Sequence, residues 1–288
     1  MGIYYTPLRY PGGKAKLAPY IKSILEANDL VDGHYAEPYA GGSGVALELL
    51  FHEYVSHIHI NDISPSVGAF WRCVLDRTEE FCKLIRDKPV TVAEWNRQKA
   101  VQARAAKAGD LALGFSTFFL NRTNRSGILG GGIIGGKDQE GPWKIDARYN
   151  AAQLIERIEA IAAQRKRISF TQLDAVKFMR RMAARLPAKS LIYLDPPYYL
   201  KGRDLYHHHY EPKDHAKVAK LAPEVLVGQR WIVSYDDVPQ VRALYKDFRR
   251  IAYRLGYSAR DVYDGTEVMF FCPGLKIPAI RGVMRKAA

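Results

Sequence analysis

The chain has 288 residues, 48% of them hydrophobic and 25% charged. That composition fits one large globular domain, or one domain carrying an insertion, and excludes wholesale disorder and fibrous repeats. Lysine plus arginine number 43 against 30 aspartates and glutamates, a formal charge of +13, which makes a polyanion the expected partner. The excess is also segregated. Residues 31–80 are net −6 and residues 94–189 net +10, so the middle of the chain carries the basic face, whether that face meets nucleic acid or is simply solvated.

Taken in chain order, Pro7-Leu8-Arg9-Tyr10-Pro11-Gly12-Gly13-Lys14 reads as a turn-rich loop, followed by an amphipathic helix over 17–27. Residues 34–37 read as a strand, Gly41-Gly42-Ser43-Gly44 as a tight turn, and 45–52 as a helix. A second strand over 57–60 ends at Asn61-Asp62. Strand, glycine turn, helix and strand make a βαβ unit, hence a parallel sheet with a ligand at its carboxyl edge. Helices are then expected over 92–108 and 111–120. Residues 128–136 hold five glycines, too many for a helix, and are expected as an extended loop or hairpin. Helix 151–164, strand 167–170, helix 174–186, strand 191–194, helix 214–226, strand 231–234 and helix 238–246 follow. The fold class is α/β: a doubly wound, Rossmann-like sheet over 1–77 and 161–288, interrupted by a mostly helical insertion at 78–160.

Two constellations carry chemistry. Glycines after a strand let a backbone approach a nucleotide-like ligand, and Asp62, 21 residues after Gly41, is spaced to accept from both hydroxyls of a ribose. The turn is not GxGxxG and no GKS or GKT follows, which favours a ribose-bearing cofactor without a pyrophosphate over the bland alternative of a plain strand–helix turn. The second constellation is sharper. An apolar strand, Ser190-Leu191-Ile192-Tyr193-Leu194, runs into Asp195-Pro196-Pro197-Tyr198. Two prolines fix φ and remove donors, so the strand stops in a rigid turn. That turn presents a carboxylate, a carbonyl and a ring, matching a planar base with an exocyclic amino group: Asp195 and the Pro196 carbonyl accept its two protons and Tyr198 stacks on its face.

Asp195-Pro196-Pro197-Tyr198 resembles the DPPY motif of adenine-N6 DNA methyltransferases. Glu37-Pro38-Tyr39-Ala40-Gly41-Gly42-Ser43-Gly44 resembles their S-adenosylmethionine motif, and Arg9-Tyr10-Pro11-Gly12-Gly13-Lys14 the opening motif of the Dam-type subgroup. Their order matches the alpha arrangement, and the resemblance covers about residues 4–273. It implies a site-specific DNA methyltransferase that moves a methyl group from S-adenosylmethionine to N6 of a flipped-out adenine in double-stranded DNA, leaving S-adenosylhomocysteine and needing no metal. Domain 1–77 with 161–288 would be catalytic and 78–160 would recognise the target. The implied catalytic residues are Asp195, Pro196 and Tyr198. The implied cofactor residues are Tyr10, Lys14, Glu37, Gly41, Asp62, Asp174 and Asp195. Asn121-Arg122 matches the start of a recognition hairpin, with Arg122 and Arg125 as readers of guanine edges and Ser126 beside them. Beyond Ser126 the residues Gly130–Gly136 depart from the best-known pattern, so the recognised sequence does not carry over.

Methylation of another amino group (cytosine N4 or RNA adenine) and a non-catalytic DNA-binding protein on the same fold are the alternatives. His207-His208-His209 reads as a polar loop on the substrate side rather than a metal site, since adjacent histidines point apart. Cys73 and Cys82 lie in apolar helical surroundings and are expected in the core; with Cys272 they make an odd number without a CxxC pair, which argues against a disulfide framework. The tail 281–286 would touch DNA or be mobile. With no apolar run of membrane length and no export signal at the start, the expected setting is a bacterial or phage-encoded cytoplasmic monomer, with a cognate restriction enzyme as a candidate partner.

Overall fold

A computed structural model describes residues 5–9, 14–200, 210–255, 266–280 and 284–286. In chain order its elements are α1 (Ala18–Ala27), β1 (Gly33–Glu37), α2 (Gly44–Phe51), β2 (Val55–Asn61), α3 (Pro65–Asp76), α4 (Thr78–Asp87), α5 (Val92–Ala103), α6 (Asp110–Thr123), α7 (Ala151–Ala163), β3 (Ile168–Thr171), α8 (Ala175–Ala183), β4 (Ser190–Leu194), α9 (Pro212–Val225), β5 (Arg230–Asp236), α10 (Pro239–Leu244), β6 (Arg249–Leu255), β7 (Thr266–Phe271) and β8 (Met284–Lys286). They fall into two compact units, one of 1–13 with 62–172 and one of 14–61 with 173–288. The unit that contains 78–160 therefore also takes in α3, β3 and the first residues of the chain.

The second unit is an α/β, Rossmann-like sheet with flanking helices. Its strands lie in the order β2-β1-β4-β5-β7-β6-β8. β2, β1, β4 and β5 are mutually parallel; β7 runs antiparallel between β5 and β6, and β8 antiparallel on β6. Every residue of β4 is buried, the continuous apolar run expected of a strand covered on both faces. The topology has one consequence for chemistry. Because β7 is reversed, its first residues sit at the same edge as the carboxyl ends of β4 and β5, with Glu267 opposite both Asp236 and Tyr253.

The strands and helices expected from the βαβ pattern are all present, with ends shifted by a few residues. The sheet beyond residue 246 was not legible. Arg249 and Arg250 are exposed and Tyr253 is buried in β6, so charges interrupt the alternation that marks a half-buried antiparallel strand. Within the C-terminal tail, Met284–Lys286 pairs with β6.

In the first unit, helix starts follow local capping chemistry. Ser64 accepts from the Val67 N–H and Pro65 opens α3, Thr91 accepts from the Glu94 N–H before α5, and Asn150 from the Gln153 N–H before α7, each satisfying a donor that a helix N-terminus leaves unpaired. α3 and α4, anticipated only as helical surroundings of Cys73 and Cys82, are present with defined ends. The helix expected over 92–108 stops at Ala103, and 128–136 forms successive turns with one bridge, Asn124 to Ile133. Phe118 and Phe119 of α6 pack on Tyr149. Gly114 lets α6 approach α3, since a Cβ there would lie 2.5 Å from the Cys73 sulfur. Cys73 and Cys82 are buried, as expected; Cys272 is buried too, and all three are free. No helix among the described residues is long and apolar enough to cross a membrane.

Candidate active site

In the sheet unit, β4 delivers Asp195 to the carboxyl edge, next to β5. Register pairs Leu194 with Val233, so the next residues, Asp195 and Ser234, are neighbours. The Ser234 hydroxyl donates to Asp195 Oδ1 at 2.7 Å and lies 2.7 Å from the buried Tyr193 hydroxyl. Lys14 Nζ is 3.5 Å from the same Oδ1. Among the described residues nothing donates to Asp195 Oδ2 or to the Pro196 carbonyl. A quarter of the Asp195 side chain remains accessible. Loss of hydration raises its carboxyl above the ordinary value, against the pull of Lys14 and Ser234.

Lys14 also pairs with Glu267. The Tyr198 hydroxyl donates to Glu267 Oε1 (2.9 Å) and the Tyr253 hydroxyl to Oε2 (2.7 Å). The Lys14 ammonium lies 5.3 Å from the centre of the Tyr198 ring. Burial opposes the charge on Lys14, but Asp195 and Glu267 outweigh it and hold the ammonium well above the ordinary lysine value. Lys14, Asp195 and Tyr198 are thus brought together, and the hydroxyl of Tyr198, which the sequence left without a role, is engaged. Asp236 fixes the backbone just beyond, accepting from the N–H groups of Tyr199 (2.9 Å) and Leu200 (3.2 Å).

At the end of β1, Glu37 is buried, and the Tyr35 hydroxyl donates to it at 3.1 Å. Burial pushes its carboxyl up to about 8, and the charge of Asp195 adds to the rise. The following turn uses left-handed backbone at Gly41 (φ 46°) and Ser43 (φ 47°), the conformation for which glycine is the usual choice. Asn61, wholly buried, donates to the carbonyls of Pro38 and Leu173 and accepts from the Leu173 N–H. It ties the turn to the segment before α8. Asp174 caps α8, accepting from the N–H groups of Val176 and Lys177. Tyr10 and His207-His208-His209 lie outside the described residues.

In the other unit, Asp62 is half-buried and its Oδ1 accepts from the Ser64 N–H at 2.9 Å. Asn121 is 3% exposed. Its Oδ1 accepts from the Arg9 N–H, and its Nδ2 donates to the carbonyls of Arg9 and Gly127. Its amide is therefore fully engaged inside the chain, and its part in any interface is to hold the backbone there. Arg122 is half-buried on the last turn of α6, while Arg125 and Ser126 are exposed, Ser126 in a left-handed turn (φ 55°).

Sequence reasoning missed Ser234, Tyr193, Tyr253 and Glu267. Ser234 carried a signal, because it closes the strand expected over 231–234, although β5 continues to Asp236. Glu267 carried none, since no strand was legible around it.

A family model described as D12 class N6 adenine-specific DNA methyltransferase matches residues 10–256. Among solved structures, the chain is similar to a conserved hypothetical protein of Streptococcus pyogenes (12% identity, 85% of this chain and 88% of that one, TM-score 0.33). It is similar to an rRNA methyltransferase of Streptomyces viridochromogenes (12% identity, 89% and 84%, TM-score 0.40). A Legionella pneumophila protein is comparable (13% identity, 91% and 85%, TM-score 0.35). No curated protein matches the chain. The family model spans the cofactor-type turn, the helical segment and the Asp-Pro-Pro-Tyr edge alike, and the chain belongs to the D12 class N6 adenine-specific DNA methyltransferase family.

Proposed function

We propose that the chain methylates the N6 amino group of an adenine turned out of double-stranded DNA, with S-adenosylmethionine as donor. The observation that carries this reading is the asymmetry of Asp195. Its Oδ1 is held by Ser234 and Lys14, while Oδ2 and the Pro196 carbonyl accept from no described residue. Two acceptors that no described residue engages, on a rigid turn, suit the two protons of an exocyclic amino group. The cofactor's charge also fits this edge. The charge of Asp195 raises the Glu37 carboxyl, and that of Glu267 raises Asp195, so a cationic ligand is favoured there.

When bound, S-adenosylmethionine supplies an electrophilic methyl group on a sulfonium. The chain's own residues orient the nucleophile. Hydrogen bonds from the amino group to Asp195 and the Pro196 carbonyl draw the nitrogen towards a pyramidal shape and aim its lone pair, a gain of positioning and electrostatics without a covalent enzyme intermediate. A stacked adenine cannot reach this edge, so extrusion of the base belongs to the reaction. Arg125 and Ser126, on an exposed turn, are the proposed contacts to DNA, with Asn121 supporting that turn, and residues 78–160 are the core of the target-recognition region. Tyr10, Lys14, Gly41 and Asp174 are the further proposed supports of the cofactor.

Incubation with plasmid DNA, with RNA and with labelled cofactor, followed by base analysis, tests the reading. N6-methyladenine in DNA is expected. Label found only in N4-methylcytosine, or only in RNA, would replace the substrate, and no transfer at all would overturn the enzyme.

Two substitutions probe the roles further. Asp62→Ala is expected to raise the cofactor dissociation constant with little change in DNA affinity, because two charge-assisted bonds to a ribose, each worth roughly 1.5–3 kcal/mol, are lost. Calorimetry with unchanged cofactor affinity would remove Asp62 from the site. Tyr198→Ala loses base stacking worth roughly 1–3 kcal/mol, and kcat is expected to fall accordingly. Tyr198→Phe keeps the ring but deprives Glu267 of one of its donors; most of kcat is expected to survive, with a lower Tm. Equal loss of kcat in both variants would move the role from the ring to the hydroxyl.

A further inference from the structure

Four arginines of the helical unit gather without an acidic partner. Arg122 ends α6, Arg148 precedes the Asn150 cap of α7, Arg157 lies midway along α7, and Arg9 comes from the N-terminal segment. Their hydrogen bonds go to neutral carbonyls: Arg122 Nε to Arg148 (2.6 Å), Arg9 Nη1 to Asn124 (3.3 Å) and Arg157 Nη1 to Thr6 (3.5 Å). Among the described residues none of the four makes an ion pair. Burial and then the charges of Arg9, Arg157 and Arg148 push the Arg122 guanidinium down to about 9. Arg9 is lowered too, by burial and by Arg148.

The cluster is built, not a chance meeting of loose side chains. Asn121 grips both the N–H and the carbonyl of Arg9. Gly127, at φ +75°, leaves room for that carbonyl, which a Cβ would meet at 2.3 Å. Arg148 lies 5.8 Å over the ring of Trp143, itself 62% exposed. Mutually repelling cations held in this way lower the stability of the free chain and are relieved by one anion that several guanidiniums share. The planar fork of arginine matches the oxygens of a phosphate group.

We propose that Arg9, Arg122, Arg148 and Arg157 form a pocket for one phosphate group, and that this group belongs to the backbone of the DNA on which the protein acts. The assignment rests on the DNA reading above. It gives Arg122 a positioning task in place of base reading and leaves Arg125, exposed and outside the cluster, as the candidate reader of a base edge. Phosphate contacts set register and affinity without conveying sequence.

Duplex binding over a range of salt, in the wild type, Arg148→Gln and Arg157→Gln, tests the pocket, together with melting in the presence and absence of inorganic phosphate. Each substitution is expected to weaken all duplex sequences alike and to lower the slope of log K against log salt by about one. Phosphate is expected to raise the Tm of the wild type and to lose that effect in both variants. In phosphate-free buffer the variants should melt no lower than the wild type, since a repelling charge is gone; a fall would mark the arginines as structural and overturn the pocket. Unchanged slopes in both variants, with wild-type stabilisation by phosphate retained, would give the pocket to a free anion and overturn the backbone assignment. A wild type that binds no duplex at all defeats the DNA reading instead; the phosphate titration then decides the pocket, stabilisation supporting it and its absence removing it.

Discussion

Asp195→Asn is expected to lower the rate of methyl transfer by about 10²–10³-fold or more, the range seen when one preorganised electrostatic contact to a reacting group is removed. Size and shape are kept, but the charge is lost and one oxygen becomes an N–H donor. Whichever way the amide turns, it fails. With nitrogen at the Oδ1 position it faces the Ser234 hydroxyl and Lys14, both of which donate there. With nitrogen at the Oδ2 position it meets the amino group of the substrate donor to donor. The fold should persist, because Lys14 retains Glu267. Single-turnover transfer and thermal melting, measured on the same preparation, check this. Transfer within a few-fold of wild type by a well-folded variant would remove Asp195 from the chemistry.

Lys14→Met is the second large expected effect, on stability and on pH dependence together. The side chains of Lys14 and Glu267 are 10% and 4% exposed, so their pair is a buried one. Removing a single member of such a pair costs about 3–5 kcal/mol, because the partner charge stays buried without compensation. Tyr198 and Tyr253 still donate to Glu267, which keeps that carboxylate solvated in part and places the loss towards the lower end. Asp195 then stands beside Glu267 with no counterion among the described residues. Its carboxyl, already raised by burial with Lys14 as the leading opposing charge, rises further. Transfer that needs the ionised form is lost as pH falls through that value, so the acid limb of kcat moves to higher pH. Lys14→Arg keeps a cation and should restore part of the acid limb. A lower Tm with an unmoved pH profile would confine Lys14 to a structural role.

The cofactor-type turn and the DPPY edge were legible for the same reason. Gly41 and the Pro196-Pro197 pair are backbone chemistry, and backbone chemistry is written locally: left-handed φ at one, fixed φ and missing donors at the other. The parallel strands announced themselves as apolar runs between glycine turns and helices. α3 and α4 were marked only by the apolar helical surroundings of Cys73 and Cys82, although Ser64-Pro65 opens α3 with ordinary capping chemistry.

What the chain's own order of residues determined is the α/β class, the family, the carboxylate at the end of β4 and the burial of Cys73 and Cys82. Tertiary structure alone decided what surrounds that carboxylate. Glu267 reaches Lys14 across 253 positions and Tyr198 across 69, because a reversed strand turns its beginning towards the carboxyl edge of its neighbours. It likewise decided that Asn121 grips Arg9, 112 positions away, and that four arginines from three segments meet without an acid among the described residues. Local propensity acts over a turn of helix or a few residues of strand. The neighbours of a charge are set by strand order and packing, which no short window of sequence contains.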